Sequence, residues 1–293
     1  MDEALFTRLA QRMDEGAAVV LASVIQTRGA TPRKPGARML VEADRIQFSV
    51  GGGAMEARVI AAARALLERA DQNAELAIDL TGRPGSAGIC GGSMRIALRR
   101  WQGVDDRTLA RAIAGALAAG ETLELPGEAL GAQDAAPQRL RPRARLLILG
   151  AGHCGHALAE LAERVDFEVW LADSRPECFP PGRYATATCI DASPASLHRA
   201  TVTARDRYLV LLSRDYPTDV AALAALAGVD CAFLGMMGSR NRIAQVRAAL
   251  PQHAAWLEGL VAPVGLAIGD ETPHEIAVAI LAQLIERRRA RAG

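Results

Sequence analysis

Between residues 144 and 157 a nearly unbroken apolar run, ARLLILG, turns directly into AGHCGHA. A strand apolar along both faces has to be covered on both, which is the condition of a parallel sheet flanked by helices. Gly150, Gly152 and Gly155 stand at the spacing G-x-G-x-x-G, between that strand and a helix pattern. In this context the spacing permits a tight turn, close approach of a pyrophosphate and close helix–strand packing. The helix start adds free N–H groups and the positive end of a dipole. Asp173 ends the next apolar run, FEVWLAD, and is placed to accept from a ribose 2′-OH, as NAD-type ligands require. Two readings remain open: the glycines hold a dinucleotide, or they serve only packing in a Rossmann fold without one.

The rest of this half keeps the same rhythm. RYLVLLS (207–213) and DCAFLG (230–235) read as further strands around a helix at 217–227. GMMGSRNR (235–242) then leaves a strand end for a helix, offering Gly235, Gly238, the cap Ser239 and the charges of Arg240 and Arg242. It reads either as a second anion site or as a capped helix with a solvated arginine pair. Thr272-Pro273-His274-Glu275 predicts the start of the last helix: an N-cap, a proline at N1 and a glutamate at N3. His153 and His156 lie in the fingerprint, where they would crowd a pyrophosphate; His198, His253 and His274 have no partner visible in sequence. A dehydrogenase would need an acid–base residue, and none is evident.

The first half has a different grammar. A short helix at 3–14, a buried strand AVVLASVI (18–25), a basic loop QTRGATPRKPG (26–36) and a hairpin around Ala43-Asp44 lead to FSVGGGAMEARV. After Gly51, Gly52 and Gly53 a helix is predicted. ELAIDL (75–80), the glycine-rich TGRPGSAGICGG (81–92), the strand SMRIALRRW and an alanine-rich helix near 105–119 follow. Residues 126–143, PGEALGAQDAAPQRLRPR, show no period and read as a linker. The expected architecture is α/β: an N-terminal α+β domain with glycine-rich loops (1–125), the linker (126–143) and a C-terminal Rossmann-like doubly wound parallel sheet (144–293).

Composition sets the exclusions. The net charge of +1 invites neither nucleic acid nor a membrane surface, and no apolar run is long enough for a bilayer. Five cysteines without a CxxC pair make neither a disulfide framework nor a zinc site, so no metal ligands are assigned. A reducing, cytoplasmic location is expected.

GATPRKPGARMLV, SVGGGAME and CGG in the first half, then LILGAGHCG, GMMGSR and APVGLAIGDETPHEIA in the second, resemble the xanthine dehydrogenase accessory proteins of the XdhC/CoxI family, in family order over nearly the whole chain. The resemblance implies an accessory maturation factor rather than an enzyme. Such a factor binds molybdenum cofactor (molybdopterin), holds it during terminal sulfuration and delivers it to a xanthine dehydrogenase-type molybdoenzyme. A cysteine desulfurase and cofactor-biosynthesis proteins are implied as partners, and a homo-oligomer as the assembly. On that reading Gly51, Gly52, Gly53 and Glu56 contribute a cradle, Arg33 with Arg28, Lys34 and Arg38 supplies charge, and Cys90 with Gly91 and Gly92 supplies an accessible thiol for sulfur handling. Cys90 reads alternatively as a small buried hydrophobe, and the triple glycine as a turn device. Relatives often carry cysteine where this chain has Ala54, and an acidic residue after the CGG where it has Ser93-Met94-Arg95. The alternative function is an NAD-dependent oxidoreductase, with NAD(P) or another nucleotide at Gly150, Gly152, Gly155 and Asp173.

Overall fold

The computed structural model describes residues 2–69 and 71–291. The chain divides into two compact units, Met1–Pro142 and Arg143–Gly293.

The first unit runs α1 (Asp2–Asp14), β1 (Val19–Arg28), β2 (Arg38–Val41), β3 (Ile46–Phe48), α2 (Gly53–Glu68), β4 (Asn73–Asp79), β5 (Ser93–Trp101), α3 (Gly103–Ala118), β6 (Leu123–Leu125), α4 (Gly127–Leu130) and β7 (Gln138–Leu140). Five strands form an antiparallel sheet in the order β3-β2-β1-β5-β4. Side chains alternate along β1, because successive Cβ atoms point to opposite faces. Val20, Ala22 and Val24 meet Met55, Val59, Ala63 and Leu66 of α2. Val19 and Leu21 join the cluster built by Phe6 and Leu9 of α1 and by Ile113 and Leu117 of α3. Each large apolar side chain so enclosed contributes about 1.5–3 kcal/mol relative to exposure.

The expected linker is not a linker. Residues 126–143 contain α4 and β7, and β7 pairs with β6 as Leu123↔Leu140 and Leu125↔Gln138. Leu125, Ala129, Leu130 and Leu140 are buried in the α1/α3 cluster. Gln138 donates to the Val24 carbonyl at 2.8 Å and accepts from Arg38 at 2.6 Å. The composition resembles a linker because the few apolar anchors are irregularly spaced, and it is those anchors that bind the segment to the sheet.

The second unit runs β8 (Ala144–Leu149), α5 (His153–Glu163), β9 (Phe167–Ala172), β10 (Thr188–Ile190), α6 (Pro194–Thr201), β11 (Arg207–Leu211), α7 (Tyr216–Leu226), β12 (Phe233–Met236), α8 (Arg240–Ala249), α9 (Ala254–Leu257), β13 (Leu260–Val261) and α10 (Pro273–Ala290). Its sheet has the order β10-β9-β8-β11-β12-β13, with every pair parallel. Counted from β8 this is 3-2-1-4-5-6, the Rossmann order, with the switch point between β8 and β11. One face is covered by α5 and α10 through Leu158, Ala162, Ile280 and Leu284. The other is covered by Leu197, Leu223, Leu226 and Val246 of α6, α7 and α8. The capping box at α10 forms as expected: Glu275 N–H donates to Thr272 Oγ1, and Thr272 N–H donates to Glu275 Oε2 at 2.8 Å.

Candidate functional site

Three loops of the first unit come together at the strand ends. A Cβ on Gly92 would stand 2.3 Å from the carbonyl oxygens of both Arg28 and Ala30. One on Gly29 would stand 3.1 Å from the Gly91 oxygen. The basic loop and the CGG loop therefore touch main chain to main chain. The third loop joins through Gly51, whose Cβ would meet Pro32 at 3.0 Å. Arg58 of α2 donates to the Gly85 carbonyl at 3.0 Å, tying α2 to the same loop as Cys90.

The triple glycine has one packed position and two open ones. Phe48, Gly51, Gly52 and Gly53 all have positive φ, at 65°, 153°, 97° and 64°, a conformation that L side chains resist. Gly51 is packed, whereas a Cβ on Gly52 or Gly53 would meet nothing within 4 Å. The Gly51 N–H, expected to be free for an anion, is already used. The Glu56 carboxylate turns back and accepts from Ser49 Oγ at 2.6 Å, Val50 N–H at 3.1 Å and Gly51 N–H at 3.3 Å. Glu56 is therefore a brace for the turn. The α2 N-terminus beyond it carries no side-chain cap.

The four basic residues separate in the same way. Arg38 is almost wholly buried, donates to Asp2 at 2.7 Å, to Gln138 and to the Gly36 carbonyl at the end of the basic loop, and so is spent inside the fold. A buried arginine in a strand reads in sequence like any other cation beside a basic loop. Arg28, Arg33 and Lys34 are exposed, and among the described residues none of their cationic groups has a carboxylate partner. Cys90 is exposed, which decides against a buried hydrophobe, and its neighbour Ile89 is 88% exposed. Ala54, in the first turn of α2, is exposed.

In the second unit each fingerprint glycine has its own task. A Cβ on Gly150 would lie 2.6 Å from the Leu212 oxygen, and one on Gly155 1.9 Å from the Gly150 oxygen. Gly152, the N-cap of α5, is open on its Cβ side except for Arg214 Nε at 3.9 Å. Asp173 is engaged: it accepts from Ala151 N–H at 2.8 Å, Arg175 N–H at 3.0 Å, and the Arg175 guanidinium at 2.8 and 2.9 Å. Burial works against its charge, but the bonds from Arg175 and Ala151 outweigh it and hold the carboxyl below its usual range.

The expected second anion site resolves into a cap and a brace. Ser239 accepts from Arg242 N–H and caps α8. Arg242 turns inward to Asp219, which is fully buried, and donates to the carbonyls of Ser213 and Arg214 at 3.1 and 3.2 Å. Arg240 is left exposed beside Gly238.

A pocket of about 350 Å³ opens over the fingerprint, lined by Gly152, His153, His156, Cys178, Arg214 and His274 among others. His153 and His156 of the fingerprint meet His274, brought from two helix starts. The His156 ring stacks on Tyr184 and hydrogen-bonds its hydroxyl. Burial, then the nearby Arg183, pushes the His156 imidazole below its usual pKa. No group of three or more histidine, cysteine or acidic side chains among the described residues is arranged to hold a metal ion.

Comparison with known proteins follows the same division. The model of the XdhC Rossmann domain matches residues 146–284, and that of the XdhC and CoxI family matches residues 13–76. The chain belongs to the XdhC and CoxI family. A relative from Escherichia coli K12, YqeB, is 28% identical over 295 residues, covering 96% of this chain and 46% of its own. A protein of Bacillus subtilis 168, named for a xanthine dehydrogenase of which it would be one subunit, is 30% identical over 155 residues, covering 52% of this chain and 45% of its own. This XdhC/CoxI chain thus spans less than half the length of those curated relatives. The crystal structure of a protein described as a xanthine dehydrogenase of Bacillus halodurans superposes with a TM-score of 0.85 at 24% identity, over 99% of this chain and 96% of that one, a likeness of fold. Among the described residues no helix is long and apolar enough to cross a membrane.

Proposed function

We propose that this XdhC/CoxI-family chain binds molybdenum cofactor at the loop cluster of its first unit, holds it during terminal sulfuration and delivers it to a xanthine dehydrogenase-type hydroxylase. The observation that carries the reading is the convergence of three glycine loops beside an exposed thiol and three exposed cations that have no carboxylate partner among the described residues. That donor set suits the group: arginine and lysine for a phosphate, main chain without Cβ atoms for close approach, and a soft sulfur for a soft metal. The bound group would supply a dithiolene-held molybdenum centre whose terminal ligand is exchanged. Arg33, Lys34 and Arg28 would take the anionic end. Gly52 and Gly53, open on their Cβ sides, would form the floor, and Cys90 would present its thiol. Glu56 would keep the turn in shape. Family membership and the name of the Bacillus subtilis relative support the client class.

The test uses the full chain from a host that makes the cofactor. Bound pterin is measured after oxidation to its fluorescent derivative, with molybdenum measured on the same sample. The wild type is expected to carry both, and Gly52→Asp and an Arg33→Ala/Lys34→Ala double variant to carry neither. Cys90→Ala is expected to retain pterin yet fail to activate a client hydroxylase. An anaerobically prepared wild type without pterin would overturn the proposal, and full client activation by Cys90→Ala would remove the thiol from it.

A further inference from the structure

The loop that carries Cys90 is closed on itself. Gly82 N–H donates to the Gly88 carbonyl at 3.0 Å and Ser86 N–H to the Arg83 carbonyl at 2.9 Å. Ala87 N–H donates to the Asp79 carbonyl and Gly91 N–H to the Leu80 carbonyl, each at 2.8 Å. Leu80 and Ala87 are buried in the cluster under α2. A loop fastened in this way cannot fold an apolar side chain inward at will, and it presents Ile89 at 88% exposure. Among the described residues no large apolar side chain is more exposed; Val104, in the first turn of α3, follows at 69%.

A single exposed apolar residue is ordinary on a protein surface. Its surroundings set Ile89 apart. The three converging loops, 28–36, 51–54 and 81–91, expose Arg28, Arg33, Lys34 and Arg83 and contain no aspartate or glutamate. The whole chain, by contrast, is balanced, with 34 basic and 33 acidic residues. The acids that border these loops are turned to main-chain N–H groups: Glu56 to Val50 and Gly51, and Asp79 to Thr81 at 2.9 Å. An isoleucine and a thiol thus stand next to one another within a cationic rim. The cofactor site employs the glycines, the thiol and three of the cations, and leaves Ile89 and Arg83 without a role.

An apolar side chain surrounded by charge is one half of a protein–protein anchor. Its complement is an apolar socket rimmed by carboxylates, because opposite potentials steer encounter and like potentials repel. A two-fold contact with a second copy of this chain does not supply that complement, since it sets the same four cations against themselves.

We propose that Ile89 is the docking anchor for the recipient hydroxylase, seated in an apolar socket that acidic side chains surround at the mouth of the recipient's cofactor cavity. The inference rests on the function proposed above and adds the contact that delivery requires. A sulfur donor needs only to meet Cys90 in passing. A recipient has to stay while the cofactor crosses, and a buried anchor acts mainly by slowing dissociation. Arg83, on the same loop as Ile89, is left to meet the recipient's carboxylates when the other three cations hold the anionic end of the cofactor.

The experiment is a kinetic binding measurement of the full chain, purified from a host that makes the cofactor, on immobilised cofactor-free hydroxylase from a host that does not. The wild type is expected to bind saturably. Ile89→Asp is expected to weaken binding by about tenfold or more, chiefly through faster dissociation, and Ile89→Ala by a smaller factor. Both are expected to keep the wild type's pterin content. Arg83→Glu is expected to slow association and to flatten its dependence on salt. Val104→Asp places the same charge on an exposed valine beyond the opposite end of β5, and is expected to bind like the wild type. The inference is overturned if Ile89→Asp binds like the wild type, if Val104→Asp weakens binding equally, or if pterin-loaded wild type does not bind the hydroxylase. Loss of pterin from Ile89→Asp also overturns it, by making Ile89 part of the cofactor site. So does a defect of Ile89→Asp confined to self-association or to a cysteine desulfurase. A wild type without pterin that still binds the hydroxylase through Ile89 would overturn the cofactor reading and leave the docking anchor standing.

Discussion

The two glycine-rich regions look alike in sequence and differ in what already occupies their N–H groups. In the first unit the Glu56 carboxylate accepts from Val50 and Gly51 N–H and has no cation partner among the described residues, while Arg28, Arg33 and Lys34 stand exposed on the adjoining strand end and loop. In the second, Asp173 accepts from Ala151 N–H and is neutralised by Arg175 two residues away. Both turns are braced by a carboxylate of the chain itself. The first leaves its cations uncommitted, whereas the second spends one arginine on its own acid and, among the described residues, leaves Arg214 beside the turn without a carboxylate partner. A glycine loop's capacity for an anion is thus decided by its internal carboxylate and by which cations that carboxylate has claimed.

The sharpest way to break the comparison is to add a single methyl group. Gly155→Ala places a Cβ on a main-chain oxygen, and Gly92→Ala places one on two. Each is expected to lose more than about 4 kcal/mol or fail to fold, as overpacking against backbone has no rotamer to relieve it. Arg38→Leu comes next. It strips a buried guanidinium from Asp2 and Gln138, and a loss of about 3 kcal/mol in urea unfolding is expected. An unchanged midpoint would show that β7 is not anchored through Gln138.

Glu56→Gln keeps the shape of the brace and removes its charge. A cost of about 1–2 kcal/mol is expected in thermal unfolding, from weaker bonds to Ser49, Val50 and Gly51. The matching change in the other unit is Asp173→Asn, followed against pH. Because the folded carboxyl titrates below its usual range, its stabilisation is complete above the ordinary carboxylate range. It is lost as pH falls through the lowered value. The stability gap between wild type and Asp173→Asn is therefore expected to shrink as pH falls from neutral through the carboxylate range. A gap independent of pH would mean that the asparagine loses only packing. The smallest effect belongs to Gly152→Ala: with φ at −83° and open space around it, stability should hold within about 0.5 kcal/mol.

Where sequence predicted structure well, local pattern and tertiary demand coincided. The ARLLILG run, the glycine spacing and the Thr272–Glu275 capping box each carry their reason within a dozen residues. The failures came where one residue type serves two physical ends. Arg38 and Arg33 are both arginines near a basic loop, and only burial separates them. Residues 126–143 have a linker's composition, yet Leu130, Gln138 and Leu140 fasten them to the sheet. The meeting of His153, His156, Cys178, Arg214 and His274 was not legible either. Those residues come from four separated segments, and it is the parallel sheet, ending all its strands on one side, that collects them.

The contact between Gly29 and the Gly91-Gly92 pair has a mechanical consequence. Two loops separated by side chains can slip, because rotamers absorb displacement. Here main chain bears on main chain, with Arg28 paired to Ser93 just behind it. The pair behaves as a rigid linkage: a force that draws in the loop of Arg33 and Lys34 is transmitted with little slack to the peptide beside Cys90. On the function proposed above, charge capture at one loop and thiol position at the other would be two ends of a single lever.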